Sequence, residues 1–312
     1  MSADGMVVPV RGVGGGDALG RLTGLFREIN DLKRTRVAGR SGSLMEQAFR
    51  RSWARLLAGQ DLASVALSET AALVVAARLG GLDRPVLEKG GLSPAEVTTV
   101  LVRGLDEFAA VLDPKQAEAM RAALTADMAI DALPPAFVAL LERQPRAGAT
   151  KPGTGRLVLE PPESHADHCM AVAALGVLLC PGYDARAPLP FLAGLSHHLH
   201  NAFMPDAGFT GEMLLGDQLE PVMRRFTAMA LAELPPGLSA QVVESHALVG
   251  NASSPEAKAF NAADVLDRVL QQAHYARAAS FTLNDALEEM ELVHAGPLQA
   301  FQNAVLRQAG LA

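Results

Sequence analysis

The side chains of this chain that are best suited to chemistry are its histidines, and all of them lie in its second half. Eight histidines occur among 312 residues, and none precedes residue 165. Neutral imidazole is the commonest metal ligand in proteins and suits zinc, iron and nickel. The clustering therefore predicts a metal site. Five of the eight fall close together: His165, His168, His197, His198 and His200.

The spacing of these histidines fits helices. The first two are three residues apart, which places them on one face of a helix. His197, His200 and Asn201 are spaced by three and four residues and would share another face. The intervening His198 would point about 100° away from its neighbour. Two helices are therefore expected to bring imidazoles toward one point.

A pair of carboxylates follows later in the chain. Asp264 and Asp267 are three residues apart in an amphipathic run, and Arg268 lies four residues after Asp264. That spacing allows Arg268 to pair with Asp264. Asp267 is expected to be a surface charge or a second partner for the arginine.

Three segments, in this order, resemble the HD-domain superfamily of metal-dependent phosphohydrolases. They read ESHADHCMAVA at 163–173, LAGLSHHLHNAFMPD at 192–206 and AKAFNAADVLDRVLQQA at 257–273. Within the superfamily they look most like the branch of bacterial 5′-deoxynucleotidases and their eukaryotic relatives. The resemblance covers about residues 155–280 and nothing before residue 145. It implies an all-α helical bundle that holds one divalent metal ion.

The resemblance also implies roles for individual residues. His168 matches the first metal-binding histidine, His197 the histidine of the His-Asp doublet, and Asp264 the late aspartate ligand. Asp206 matches an aspartate that polarises water or binds substrate. Arg156 approximately matches an arginine that binds phosphate ahead of the first helix. His246 stands in VVESHALVG at 242–250, where the branch has a similar Glu-His-Ala, and is expected at the pocket rim as a second substrate contact.

The chain departs from the family pattern at two positions. His198 replaces the aspartate of the doublet, and Asn201 replaces the acidic residue that assists catalysis. Imidazole keeps a ligand but removes a negative charge, so among Zn, Fe, Mn and Co the first two are favoured, with His198 as a fourth ligand. Losing a general acid or base often costs about 10²–10⁴ in rate. Asp206, His200 or His165 could take over that role, and Asp206, His200 and Asn201 are the predicted catalytic group.

Three functions follow from this resemblance. The leading prediction is a phosphomonoesterase that acts on a nucleotide or a similar small phosphate. The first alternative is a degenerate HD scaffold, or a signalling or interaction protein, without catalysis. The second alternative is an HD-type di-iron oxygenase, which the surplus of histidines motivates, although such proteins keep the His-Asp doublet.

Helical patterns extend over nearly the whole chain, so the predicted fold class is all-α. Residues 1–16 are expected to be flexible and residues 17–145 to form a separate helical domain, which could mediate a homodimer. A stretch rich in Gly and Pro at 146–161 reads as a linker. Residues 162–312 would form the HD-like domain. Helices are predicted at 17–29, 43–58, 61–79, 93–112, 113–128, 134–143, 163–181, 187–203, 217–233, 238–249, 255–278, 282–292 and 296–309.

The composition of the chain limits which partners and which cellular compartment are expected. Residues 1–150 carry 18 Lys and Arg against 17 Asp and Glu, whereas residues 151–312 carry 9 against 17. Nucleic-acid binding needs a basic face, so no nucleic-acid partner is expected for the acidic second half. The longest apolar runs are too short to span a bilayer, and no leader pattern opens the sequence. Cys169 and Cys180 lie too far apart along one helix to pair. A cytoplasmic protein without a membrane partner is predicted.

Overall fold

A computed structural model describes residues 17–125, 132–148 and 159–278 of this chain. Within these ranges the protein is built from helices and their connections and contains no β-strand. Two isolated antiparallel bridges join Arg36 to Ser43 and Pro145 to Ser164. The predicted all-α fold class is confirmed.

The helices follow one another with short connections, and two 3₁₀ turns flank α10, at Leu199–Ala202 and Gly216–Gln218. The α-helices are α1 Asp17–Asp31, α2 Leu44–Leu57, α3 Leu62–Leu79, α4 Arg84–Lys89, α5 Pro94–Asp106, α6 Pro114–Ala123, α7 Ala136–Arg143, α8 His165–Tyr183, α9 Pro188–Ser196, α10 Gly208–Leu215, α11 Leu219–Leu231, α12 Pro236–His246 and α13 Pro255–Ala278.

Side-chain caps explain why several helices begin where they do. Asp61, Ser93 and Asp113 each accept a hydrogen bond from the backbone N–H three residues on, as their sequence positions predict. Ser43 and Ser164 do the same and complete capping boxes with acidic residues. Such caps satisfy N–H groups that have no partner inside the helix.

Some boundaries differ from the sequence prediction. The short helices α4 and α10 were not expected, because six to eight residues carry too little periodicity to be recognised. Helix α5 ends at Asp106, and turns replace its predicted last residues. Helix α9 ends at Ser196, whereas the sequence predicts a helix to residue 203. The predicted helices at 282–292 and 296–309 lie outside the described residues.

Helix α8 is the central element of the core. Every residue from His165 to Cys180 is buried, and both cysteines on it are free thiols. Helices α1, α2, α3, α7 and α9 all pack against it. By length and composition α3 and α8 could each cross a membrane, but half of α3 and most of α8 are covered by other parts of the protein. That burial is consistent with a soluble protein.

Contacts group Met1–Leu270 into one compact unit and Gln271–Ala312 into a second, of which the described part is the end of α13. The predicted linker at 146–161 falls inside the first unit. Buried polar contacts join the helices before and after it, because Ser43 donates to Asp167 and Lys33 pairs with Asp267. Such distant pairs leave no local mark in the sequence, so a division at the linker was the natural expectation.

Candidate metal centre

The start of α8 fixes the first two histidines of the site. The hydroxyl of Ser164 accepts from the N–H of Asp167, and the carboxylate of Asp167 accepts from the N–H of Ser164. This capping box makes Ser164 the N-cap, so α8 begins at His165. His165 and His168 are both fully buried on the inner side of the first turn.

The end of α9 brings the next two histidines together. The N–H of His197 donates to the carbonyl of Ala193 and ends the helix, and a 3₁₀ turn follows. Because the helix stops at Ser196, the rings of His197 and His198 do not diverge as they would on a continuing helix. Their centroids are 4.3 Å apart. The helix on which the 100° separation was predicted therefore does not continue through His198.

Two imidazole nitrogens face each other at the centre of this cluster. Nδ1 of His168 lies 2.8 Å from Oδ2 of Asp267, and Nδ1 of His197 lies 2.9 Å from the carbonyl oxygen of Gly194. A carbonyl oxygen and an ionised carboxylate only accept, so both Nδ1 atoms carry the hydrogen. With Nδ1 as the donor, Nε2 of a neutral ring presents a lone pair, and the two Nε2 atoms are 3.2 Å apart.

This arrangement fits a bound cation. Two nitrogens held at 2.0–2.1 Å by a tetrahedral zinc ion would be separated by about 3.3–3.4 Å. A carboxylate lies near one of the two rings, because Oδ1 of Asp264 is 3.4 Å from Nε2 of His168. The other oxygen of Asp264 pairs with Arg268 at 3.1 Å, as the spacing predicts. Two imidazoles and a carboxylate are a donor set that suits zinc, iron or cobalt.

His198 belongs to the same cluster but is held differently. Nitrogen atoms of His168, His197 and His198 lie within 4.8 Å of one another. Nε2 of His198, however, accepts a hydrogen bond from Arg146 at 2.9 Å. Its Nδ1 donates to the amide oxygen of Asn201 at 2.9 Å. Because Arg146 occupies Nε2, His198 can become a metal ligand only if Arg146 moves away. Asn201, which accepts from Nδ1, orients the ring.

A lysine from the first helices occupies the far side of His168. Nζ of Lys33 lies 2.7 and 2.8 Å from the two oxygens of Asp267 and also contacts Glu163. Glu163, His168 and Asp267 form a second group with metal-binding geometry, and the ammonium already supplies its cation. This disfavours a second metal ion and hence the di-iron alternative.

Asp267 corrects one expectation directly. It is fully buried and bonds His168, Lys33 and Asn30, whereas the sequence suggested a surface charge or a partner for Arg268. Burial alone would raise the pKa of Asp267, but Lys33 and His168 outweigh it and lower the pKa to about 2. The residue is therefore an ionised carboxylate that orients His168.

Burial keeps the other rings of the cluster neutral. It lowers the pKa of His197 to about 3, with a further contribution from neighbouring His168, and lowers the pKa of His200 to about 4. Burial and the adjacent His197 and Arg146 hold the pKa of His198 well below its ordinary value. Neutral imidazole is the form that binds metals.

Asp206 lies beside His165. Its two oxygens accept from the backbone N–H groups of Ala147 at 2.9 Å and Gly208 at 2.8 Å. Burial opposes ionisation of Asp206, but the ring of His165 and these N–H groups outweigh it and lower the pKa. Nε2 of His165 is 3.5 Å from Asp206, beyond ordinary hydrogen-bond range. Neither ring nitrogen of His165 has a hydrogen-bond partner.

The remaining predicted residues are placed as follows. His200 is buried, and its ring centroid is 5.6 Å from that of His198. Nε2 of His246 lies 3.1 Å from the carbonyl oxygen and 3.0 Å from the hydroxyl of Ser196, so this ring supports the end of α9. Arg156 lies outside the described residues.

Lys33 and Arg146 are the site residues that sequence reasoning missed. Lys33 lies in the turn after α1, four residues after the buried Ile29. In the sequence it continues the apolar period of that helix, and a charge there was a usable signal. Arg146 is fixed by the bridge beside it, since its N–H donates to the carbonyl of Glu163 at 2.8 Å. That pairing leaves no local mark in the sequence.

Comparison of the chain with models of protein families, with curated proteins and with solved structures finds no match in any of the three.

Proposed function

We propose that this chain is a metal-dependent phosphohydrolase that acts on a nucleotide or a similar small phosphate ester in the cytoplasm. One divalent ion would be held by His168, His197 and Asp264. The observation that supports this most is the pair of Nε2 lone pairs 3.2 Å apart, whose hydrogens are committed elsewhere. Two lone pairs at that distance repel unless a metal ion or a shared proton lies between them, and the metal is the alternative that the proposal adopts.

The donor set also suits the ion in charge. Asp264 contributes one negative charge and the two imidazoles none, so zinc or iron fits better than magnesium. When bound, such an ion lowers the pKa of a coordinated water and polarises a phosphoryl oxygen. The carboxylate of Asp267 strengthens His168 as a donor by accepting its Nδ1 hydrogen.

Arg146 is the residue best placed to bind the phosphate. Its guanidinium touches the ring of His198, is 20% exposed and has Nε 3.8 Å from Glu163. A guanidinium has five N–H donors in a planar fork that matches phosphate oxygens. Arg146 would thus perform the role that the sequence assigned to Arg156.

Asp206 is the candidate for orienting the attacking water. It is ionised, and its backbone partners fix its carboxylate. A low pKa makes it a weak base, so its role in the proposal is to accept a hydrogen bond and hold a water. A bound ion would lower the pKa of that water enough for its proton to pass to solvent.

A second candidate function is supported by the cations already in the cluster. Lys33 pairs with both Asp267 and Glu163, and Arg146 donates to Nε2 of His198. A domain whose own side chains supply positive charge to the cluster does not need a metal ion to compensate the buried carboxylates. This is expected of an HD-like scaffold that mediates an interaction. Asn201, which stands where the resembled family has an acidic residue that assists catalysis, also favours a scaffold without catalysis.

Metal content and turnover, measured together, separate the two candidates. The full chain, purified without chelator, should contain about one equivalent of zinc or iron by elemental analysis. His168→Ala should lose it, and His274→Ala, a histidine outside the cluster, should keep it. The protein should hydrolyse p-nitrophenyl phosphate or a nucleoside monophosphate with zinc, iron, manganese or cobalt. Bound metal without any turnover would support the scaffold. Folded protein that stays free of metal after incubation with each ion would also support the scaffold and would contradict the hydrolase.

A further inference from the structure

The first half of the chain contains a cavity that the histidine cluster does not use. It lies among α2, α3, α4 and α5 and has a volume of about 350 Å³. That size is at the lower end of the range for small-molecule sites. The apolar wall is made of Leu44, Leu73, Val75, Ala76, Leu101 and Leu124.

Charged side chains are gathered on the rest of the wall. Arg40, Arg51 and Arg84 line it together with Asp83 and Glu88. Arg40 and Asp83 form a two-pronged ion pair, and Arg84 lies 3.5 Å from Glu88. An apolar wall with a few convergent polar groups is the usual composition of a ligand site.

Arg51 differs from its neighbours because its partner is shared. Glu69 is fully buried, and its two oxygens accept separately from Arg51 and Arg55, each at 2.9 Å. One carboxylate thus faces two guanidinium groups. Arg40 and Arg84 are each balanced by one acid, so this shared pair leaves one positive charge in excess. Arg51 carries it to the cavity, with 33% of its side chain exposed.

We propose that this cavity binds a small apolar molecule that carries a single carboxylate. The aliphatic part would lie against the wall beside Ala76, and the carboxylate would meet Arg51. A guanidinium binds a carboxylate through two parallel hydrogen bonds. The inference is independent of the proposed hydrolase activity, because it concerns different residues and a different ligand.

Decanoate and 1-decanol are the probes that test it, since they differ only in the charged group. Calorimetric titration of the full chain should give saturable one-to-one binding of decanoate, with binding of 1-decanol about 10-fold weaker or more, because a charge-assisted hydrogen bond is lost. Arg51→Gln should weaken decanoate binding to the level of the alcohol and leave the alcohol unchanged. Glu69 keeps Arg55 as its partner in that variant.

The cavity itself is tested by filling it. Ala76→Phe should abolish decanoate binding, whereas Ala63→Phe, at an exposed position of the same helix, should leave it intact. The proposal is overturned if acid and alcohol bind equally, if neither Arg51→Gln nor Ala76→Phe weakens decanoate, or if decanoate at about 1 mM shows no saturable binding. Should Ala76→Phe fail to fold, the acid–alcohol comparison and Arg51→Gln still decide.

Discussion

His168 is the residue on which the site converges. Its Nδ1 donates to Asp267, and its Nε2 faces His197 and Asp264. Its own orientation is therefore fixed from one side by a buried carboxylate, which leaves the other side free to bind a cation. The contact between Asp267 and His168 is the pairing seen behind many metal-bound histidines.

Lys33 should be among the most sensitive residues for stability. Lys33→Met would keep much of the volume but leave Asp267 buried without its ammonium partner. Breaking a buried ion pair on one side typically costs about 3–5 kcal/mol. Urea denaturation in the presence of chelator should show a loss of this size in the free energy of unfolding. Lys115→Met, at an exposed position of α6, is the matched control and should change it by about 0.5 kcal/mol or less. Equal stability of the two variants would contradict the assigned network.

At the scale of elements, close contact between α8 and α9 sets the distance between the two central histidines. A Cβ on Gly194 would lie 2.4 Å from Cα and 2.5 Å from the backbone nitrogen of Ala173. Backbone atoms cannot move aside as a flexible side chain can, so only glycine allows this approach. His197 follows three residues later at the end of α9.

Gly194→Ala should therefore separate the two helices and weaken both folding and metal binding. We expect a loss of about 1–3 kcal/mol in the free energy of unfolding, as for other overpacked sites. Zinc affinity measured by competition with a chromogenic chelator should fall about 10-fold or more. Gly24→Ala in α1, where an added Cβ meets nothing within 4 Å, should be neutral or slightly stabilising. Unchanged zinc affinity in Gly194→Ala would show that the contact does not position the site.

Asp167 connects the starts of α2 and α8 and gives this junction a pH dependence. Burial, with a further contribution from Glu46, raises its pKa to about 7 from an ordinary value of 3.8. The folded state thus binds this proton more tightly than the unfolded state. The stabilisation is fully present below the unfolded pKa and is lost as the pH rises through the folded pKa.

Asp167→Asn should remove that dependence. The difference in unfolding free energy between the variant and the natural chain should shift in favour of the variant between about pH 4 and pH 7, by at most about 1.4 kcal/mol per pH unit. Denaturation at several pH values measures it, and titrations common to both proteins cancel in the difference. A difference independent of pH would mean that Asp167 is ionised throughout.

For the whole molecule, the sequence was informative about local structure and less so about what packs where. Ser93 and Asp113 mark helix starts by their own chemistry, and the structure has those helices. The cluster of histidines was predicted because histidine is rare in this chain and concentrated in two segments. The contacts that join this cluster to the first helices were not predicted. One of them pairs Lys33 with Asp267, which lie 234 positions apart in the chain. Which of two neighbouring aspartates is buried likewise depends on the lysine that meets it.

The first helices, α1 to α3, were also predicted as local structure, but their packing partner was not. The sequence predicts a separate helical domain that could form a homodimer, and the homodimer stays a prediction. In the structure α1, α2 and α3 cover α8 and supply Lys33. Their removal would expose α8 and break the buried pair, so the histidine segment is not expected to fold as residues 162–312 alone.

The central claim is that one divalent ion is coordinated by Nε2 of His168 and Nε2 of His197 together with Asp264. X-ray absorption spectroscopy of the zinc-loaded protein, with one equivalent added, tests it most directly. We predict two imidazole nitrogens at about 2.0–2.1 Å, completed by oxygen ligands. A zinc shell made of oxygen alone, or one unchanged by His197→Ala, would contradict the account.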